Sequence, residues 1–367
     1  MNRQLKPCND SSGYRPVSSW THRARRTAWA VSLLALTAQA QEPDTPLPAV
    51  AKQMFQPLPE HRRTEAFPAA AARVALGKQL FFDSRLSLDG TVSCATCHRP
   101  ALYGTDALPR SIGVEHRLNA RNAPTVLNAA LQFRAHWIGD RANVEEQALK
   151  SLTGRTSFGN PDVAAVIQKL KALPGYAAEF RQAFPNDPEP VTPENWGKAI
   201  GAYERTLVTP SPFDAYLQGD AKALPPQAQN GLKTFIDLGC AACHNGIGIG
   251  GSSFQTFGVF EDYWKRTGSQ PIDEGRFTDT GEPADKYRFK VPSLRNVAMT
   301  PPYFHDGSVA TLPQAVRVMG KVQLGKDLTD QEVAALVAFL DTLTGELPKD
   351  FATEPVLAPQ GFSSLPP

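Results

Sequence analysis

Cys94-Ala95-Thr96-Cys97-His98 and Cys240-Ala241-Ala242-Cys243-His244 are two copies of Cys-x-x-Cys-His in one chain, and they use four of its five cysteines. The spacing is that of c-type haem attachment: two thiols add to the porphyrin vinyl groups and the adjoining imidazole ligates iron from one side. A redox dithiol has no use for a trailing histidine. A zinc site made from all four thiols would leave both histidines unexplained. The sequence therefore predicts two covalently bound c-type haems, one on Cys94, Cys97 and His98, the other on Cys240, Cys243 and His244.

Upstream of the first motif, Arg23, Arg25 and Arg26 precede an apolar run from Ala28 to Ala38, followed by the small-x-small site Ala38-Gln39-Ala40. Residues 1–40 read as a secretory leader, too short to span a bilayer, and Cys8 falls inside it. A twin-arginine reading of Arg25-Arg26 lacks its surrounding consensus. Export to the periplasm suits covalent haem, because thioether formation is completed outside the cytoplasm on reduced thiols. Once the leader is removed, 32 basic residues face 35 acidic ones, so the net charge moves from +2 to −3. No basic stripe suggests nucleic acid, and no transmembrane span is expected in the mature chain. With every remaining cysteine committed, no disulfide framework is left.

The 367 residues leave room for two domains. Helical patterns run from about Ala69 to Phe82 and from Asn160-Pro161-Asp162, with Asn160 as the expected N-cap, to a stop at Pro174-Gly175. Thr192-Pro193-Glu194 opens another helix, carrying Ile200, Tyr203 and Leu207 and ending before Pro210. Thr329 and Glu332 form a capping box ahead of Val333, Leu336, Val337 and Leu340. Strand signals are poor. The 32 prolines and 27 glycines mark long loops, as expected where a haem fills the core. The fold class is mainly α: two cytochrome c-like haem domains, residues 41–210 and 211–367, with Pro210–Pro226 as the linker. Glu145 and Glu146 are expected to face solvent, and the glycines from Gly246 to Gly251 to form a turn after the second motif.

Around the two motifs stand further blocks: Leu76-Gly77-Lys78-Gln79-Leu80-Phe81-Phe82-Asp83, Arg121-Asn122-Ala123-Pro124-Thr125-Val126-Leu127-Asn128, Val291-Pro292-Ser293-Leu294-Arg295-Asn296 and Pro302-Tyr303-Phe304-His305-Asp306-Gly307. With them the chain resembles the bacterial dihaem cytochrome c peroxidase family, which includes the MauG-type enzymes. The resemblance implies a peroxidatic first haem on His98 and a high-potential second haem on His244 with a methionine as sixth ligand. Met319 falls at that methionine's position; ordinary core packing is the alternative, and MauG-type enzymes tend to carry tyrosine there. Trp137 matches a tryptophan lying between the haems, and Gln147 a distal-pocket glutamine. Asn122 and Thr300 match residues around an interdomain calcium. His305 is expected to be structural, near a haem propionate or the domain interface.

Two departures from the family pattern concern the first haem. The loop histidine that caps this haem in many relatives is Val114 here, with His116 two residues on as a candidate substitute. The family's catalytic glutamate is Ser157, a poor proton acceptor, leaving Arg155 and His116 as the groups that could assist. The implied activity is reduction of H2O2 with electrons from a small cytochrome c, a cupredoxin or a quinol. The alternatives are a dihaem electron carrier without peroxidase activity and a MauG-like oxidase of a partner protein. A homodimer is left open.

Overall fold

The computed structural model describes residues 46–58 and 71–357, all within the unit Thr45–Pro367. The expected leader and Cys8 lie outside the described residues. Helix α1 (Leu47–Met54) is followed by α2 (Ala71–Phe82), the four-residue α3 (Cys94–Cys97), α4 (Val144–Ser151), α5 (Val163–Ala172), α6 (Tyr176–Ala183) and α7 (Pro193–Glu204). Then come α8 (Pro212–Gln218), α9 (Pro226–Asp237), the short α10 (Tyr263–Thr267) and α11 (Phe277–Thr280), α12 (Leu312–Leu324) and α13 (Asp330–Asp341). Two three-residue strands, β1 (Phe254–Thr256) and β2 (Arg288–Lys290), pair antiparallel with Gln255 opposite Phe289. The protein is mainly α.

Local capping signals act close to where the sequence puts them. Thr192 accepts from the Asn195 amide at 3.2 Å to open α7, and Thr329 and Glu332 form the reciprocal box on α13. One cap differs. Asp162, not Asn160, starts α5 by accepting from the Ala165 amide at 2.8 Å. Asn160 is buried and donates to the Leu86 and Leu152 carbonyls at 2.8 and 2.9 Å, so its amide holds two loops together instead.

The described residues build two large apolar cores around the same device. In the first, α2 crosses α7 so closely that a Cβ on Gly77 would lie 1.9 Å from the Ala199 carbonyl oxygen and 2.9 Å from Tyr203 Cβ. In the second, α9 crosses α13, and a Cβ on Gly231 would lie 1.9 Å from the Ala335 oxygen and 2.9 Å from Phe339 Cβ. Only glycine permits either crossing. In each case the helix ahead of a Cys-x-x-Cys-His motif is clamped to a later helix through an aromatic residue four positions on, so each motif hangs from a rigid helix pair. Phe81, Trp196 and Tyr203 fill the first core, and Phe213, Phe235 and Phe339 the second. Pro210–Pro226 is not a bare linker, because α8 buries Phe213, Tyr216 and Leu217 in the second core. Residues 47–55 also pack there, with Phe55 edge-on to Phe213 at 5.4 Å. A small third cluster joins Ile138 to Tyr263 and Phe289, with Trp137 against it.

Candidate active site

Both attachment motifs fold as one tight turn in which the histidine amide donates to the carbonyl of the first cysteine at 3.0 Å, from His98 to Cys94 and from His244 to Cys240. No disulfide forms among these cysteines. Ser93 and Thr96 cap the first turn reciprocally. His98 Nδ1 lies 3.0 Å from the Gly104 carbonyl, which fixes the ring and leaves Nε2 as a donor to metal. His244 Nδ1 is enclosed near the Ile249 and Pro292 carbonyls without a hydrogen bond of normal geometry. Burial pushes both imidazoles down, His244 to about 4, which favours the neutral form that ligation requires.

A cavity of about 340 Å³ opens beside the second turn and is lined by Cys240, Cys243, His244 and Met319. The structure thus brings Met319 to the same space as His244. The cavity extends to Trp137, Asn122, Thr300 and His305. Trp137 is tied to both halves of the chain: its Nε1 donates to the Asn122 carbonyl at 3.0 Å, and its own carbonyl accepts from the Lys290 amide at 2.7 Å. His305 is 2% exposed and caged by aromatic rings, stacked on Phe289 at 4.4 Å and edge-on to Tyr263 and Trp137 at 5.1 and 6.4 Å. Its Nε2 is 3.8 Å from Asp273, whose carboxylate is clasped by Arg121 at 2.6 and 2.8 Å. Lys290 is 5% exposed and lines the cavity, with the neutral Gln132 amide oxygen as its side-chain partner and no carboxylate paired with it among the described residues. Burial pushes its ammonium down to about 8.

The residues expected around the first haem are not gathered in that cavity. Gln147 is half-buried on α4; His116 and Arg155 are exposed. Val114 is fully buried, and its amide donates to the Ser157 carbonyl at 3.1 Å. The Ser157 hydroxyl turns into its own loop and donates to the Ser151 carbonyl at 2.7 Å, so it is committed before any substrate arrives.

Two charged clusters escaped the sequence reading. Glu145 does not face solvent: it is buried and paired in bidentate fashion with Arg205, which follows α7. Beside it lies Glu204, close enough to Cys94 for its charge to act on that thiol. Burial, and then the Glu145 charge, push Glu204 up to about 8. Between about pH 4.5, where the unfolded carboxyl ionises, and about pH 8, the folded protein keeps a proton that the unfolded chain has lost. Stability is therefore lost as pH rises through this window, on the order of a few kcal/mol. Glu204→Gln is expected to flatten the fall of the melting temperature across it; a wild-type slope in the variant would mean that Glu204 is ionised in the fold. The second cluster lies in the loop before α4. His136, with φ of 66°, lines the cavity beside Trp137, and its Nδ1 is 2.9 Å from Asp140 Oδ1. Burial raises Asp140, but the His136 hydrogen bond and the His136 and Arg141 charges outweigh it and hold the carboxyl below its ordinary value. A histidine followed four residues later by aspartate was the available signal; it was hidden because the loop is not a helix.

These residues fit two c-type haems. Each site offers two thiols and a neutral imidazole on a rigid turn, and the second adds a thioether and largely apolar walls. Lys290, a buried cation whose bonded partner is neutral, would hold a propionate of a haem seated there. The comparisons agree. The di-haem cytochrome c peroxidase family matches residues 71–222 and the cytochrome c family residues 228–344. The chain is 43% identical over 305 residues to the cytochrome c551 peroxidase of Pseudomonas aeruginosa, covering 82% of this chain and 86% of that protein. It is 35% identical to the methylamine utilization protein MauG of Methylorubrum extorquens, over 84% of this chain and 88% of that one. A crystal structure of a MauG-like protein associated with microbial copper homeostasis superposes with a TM-score of 0.71 at 30% identity, covering 81% of this chain and 97% of that one. The chain belongs to the di-haem cytochrome c peroxidase family and carries two c-type haems.

Proposed function

We propose that this protein reduces hydrogen peroxide to water in the periplasm, taking electrons one at a time from a small cytochrome c, a cupredoxin or a quinol. Bound, the haems supply redox iron: one accepts and passes single electrons, the other meets peroxide. The chain's own residues divide accordingly, residues 41–210 holding the peroxidatic site and residues 211–367 receiving the electron. His244 and Met319 would ligate the second iron and so close it to substrate. Trp137, bonded to Asn122 on one side and Lys290 on the other, gives one covalent and hydrogen-bonded path between the halves. That path, running from the Met319 cavity to the first domain, is the observation that carries the reading. Gln147 on α4 remains the candidate distal amide. A calcium ion near Asn122 and Thr300 belongs to the same reading; it would rely on amide and carbonyl oxygens, since no cluster of three metal-binding side chains occurs among the described residues.

The committed Ser157 hydroxyl favours a second reading, a dihaem electron carrier without peroxidase activity. Met319 speaks against a MauG-like oxidase. The deciding experiment mixes the dihaem protein with a reduced small cytochrome c and H2O2. The expected result is oxidation of two donor molecules per peroxide; donor oxidation that does not depend on peroxide would leave the carrier.

A further inference from the structure

One lysine and one arginine, Lys290 and Arg295, line the cavity beside the second motif, and among the described residues no aspartate or glutamate does. Arg295 is neutralised from behind by Asp214, in a bidentate pair of two 3.0 Å bonds. Lys290 is not. It is buried, and its ammonium donates to the Gln132 amide oxygen, an acceptor without charge. Burial lowers the ammonium only to about 8, so it is charged at neutral pH. A cation withdrawn from water with no counter-charge is costly, and is tolerated where a bound group or a function compensates.

The backbone fixes this charge near His244. The Lys290 amide donates to the Trp137 carbonyl at 2.7 Å, and the next residue is held on both sides: the Val291 amide donates to the Ser253 carbonyl at 2.9 Å, and the Val291 carbonyl accepts from the Gly251 amide at 2.8 Å. Gly251 lies against the partner of Lys290, since a Cβ there would be 2.7 Å from Gln132 Cγ. Its neighbour Gly250 lies against the imidazole, where a Cβ would be 3.1 Å from His244 Nδ1. The two glycines thus pack between the His244 ring and the Gln132–Lys290 contact. Reducing ferric iron adds one negative charge to the site, so a cation fixed nearby favours the ferrous state, and the largely apolar walls strengthen the effect. A propionate held by Lys290 would act in the same direction, because its own charge would no longer oppose reduction.

We propose that Lys290, left without a carboxylate by the neutral Gln132, is the charge that raises the reduction potential of the second haem and so fits it to accept the donor's electron. The inference rests on the reading above only in taking this haem as the point of electron entry. In that step the donor loses one electron, the ferric iron gains it, and no bond forms or breaks. Met319 and Lys290 both favour the ferrous state by separate means. The thioether does so as a ligand, and its loss changes the spectrum. The ammonium does so through space, and its loss leaves the ligand set intact.

Spectroelectrochemical titration of the dihaem protein tests this. Lys290→Gln is expected to lower the ferrous-to-ferric ratio of the second haem at a given applied potential by about tenfold, a shift of about 59 mV for one electron, while its low-spin spectrum and the first haem stay unchanged. Lys290→Arg, which restores the charge, is expected to recover most of the loss. Gln132→Glu leaves Lys290 in place but gives it a carboxylate, and is expected to lower the ratio in the same direction. A wild-type potential in loaded Lys290→Gln would overturn the proposal. A potential in Lys290→Arg as low as in Lys290→Gln would overturn it too, by assigning the effect to shape instead of charge. If Lys290→Gln does not load haem, Gln132→Glu decides, and a wild-type potential there refutes the role of Lys290. The titration contains no peroxide, so a protein inert to peroxide would refute the peroxidase reading and leave this result standing.

Discussion

Met319→Ala is expected to abolish the low-spin His/Met signature of the second haem and to lower its midpoint potential by on the order of 100 mV or more, leaving the first haem nearly unchanged. A thioether stabilises ferrous iron, so its loss favours the ferric state. The structure strengthens this expectation, because Met319 projects from α12 into the cavity lined by His244, while the other described methionines, Met54 and Met299, are exposed at 36% and 44%. No second thioether stands ready to replace it. Electron delivery should fail with the potential, since a donor tuned to a His/Met centre can no longer reduce the iron. Met319→His provides the control: it should keep the haem low-spin while still lowering the potential. Spectroelectrochemical titration of the two haems checks both variants, and an unshifted potential in Met319→Ala would mean that Met319 only packs the wall.

Much of this was legible in the sequence because it is local. A haem motif is five residues long, and its turn is closed by its own backbone. The caps at Thr192 and Thr329 are read from four residues each. What was not legible depends on residues far apart. Glu145 looks like a solvent-facing helix acid until α7 is laid against α4, bringing Arg205 to it across sixty positions. Gly77 and Gly231 look like ordinary helix glycines until each meets the carbonyl of a crossing helix. Asn160 looks like a cap because Pro161 follows it, yet its amide is worth more to the fold bridging Leu86 and Leu152 than facing a helix end. His136 was passed over because a lone loop histidine carries no pattern; its pairing with Asp140 depends on the turn of the loop between them.

The oxidised protein is expected to have a high-spin first haem without a protein sixth ligand, and to react with peroxide without prior reduction. In relatives with a loop histidine at the position of Val114, that side chain caps the iron until an electron arrives. Here the loop is occupied otherwise. Val114 is fully buried, with its amide on the Ser157 carbonyl at 3.1 Å. Asn119 and Thr156 exchange two hydrogen bonds, of 2.9 and 2.6 Å, Arg117 reaches the Arg155 carbonyl at 3.3 Å, and the Glu115 amide donates to Asp89 at 3.1 Å. Each is worth about 0.5–1.5 kcal/mol, and swinging His116 inward from its exposed position would break several together. Coordination by His116 would have to repay that loss and the burial of the loop besides. The open state is therefore the expected one, and the difference is all or none in a rapid-mixing experiment: peroxide added to the fully oxidised protein should change the first-haem bands at once, with or without one electron already on the second haem. A spectrum that is low-spin at both haems, with no reaction until one electron is added, would place His116 on the iron and return the protein to the reductively activated pattern.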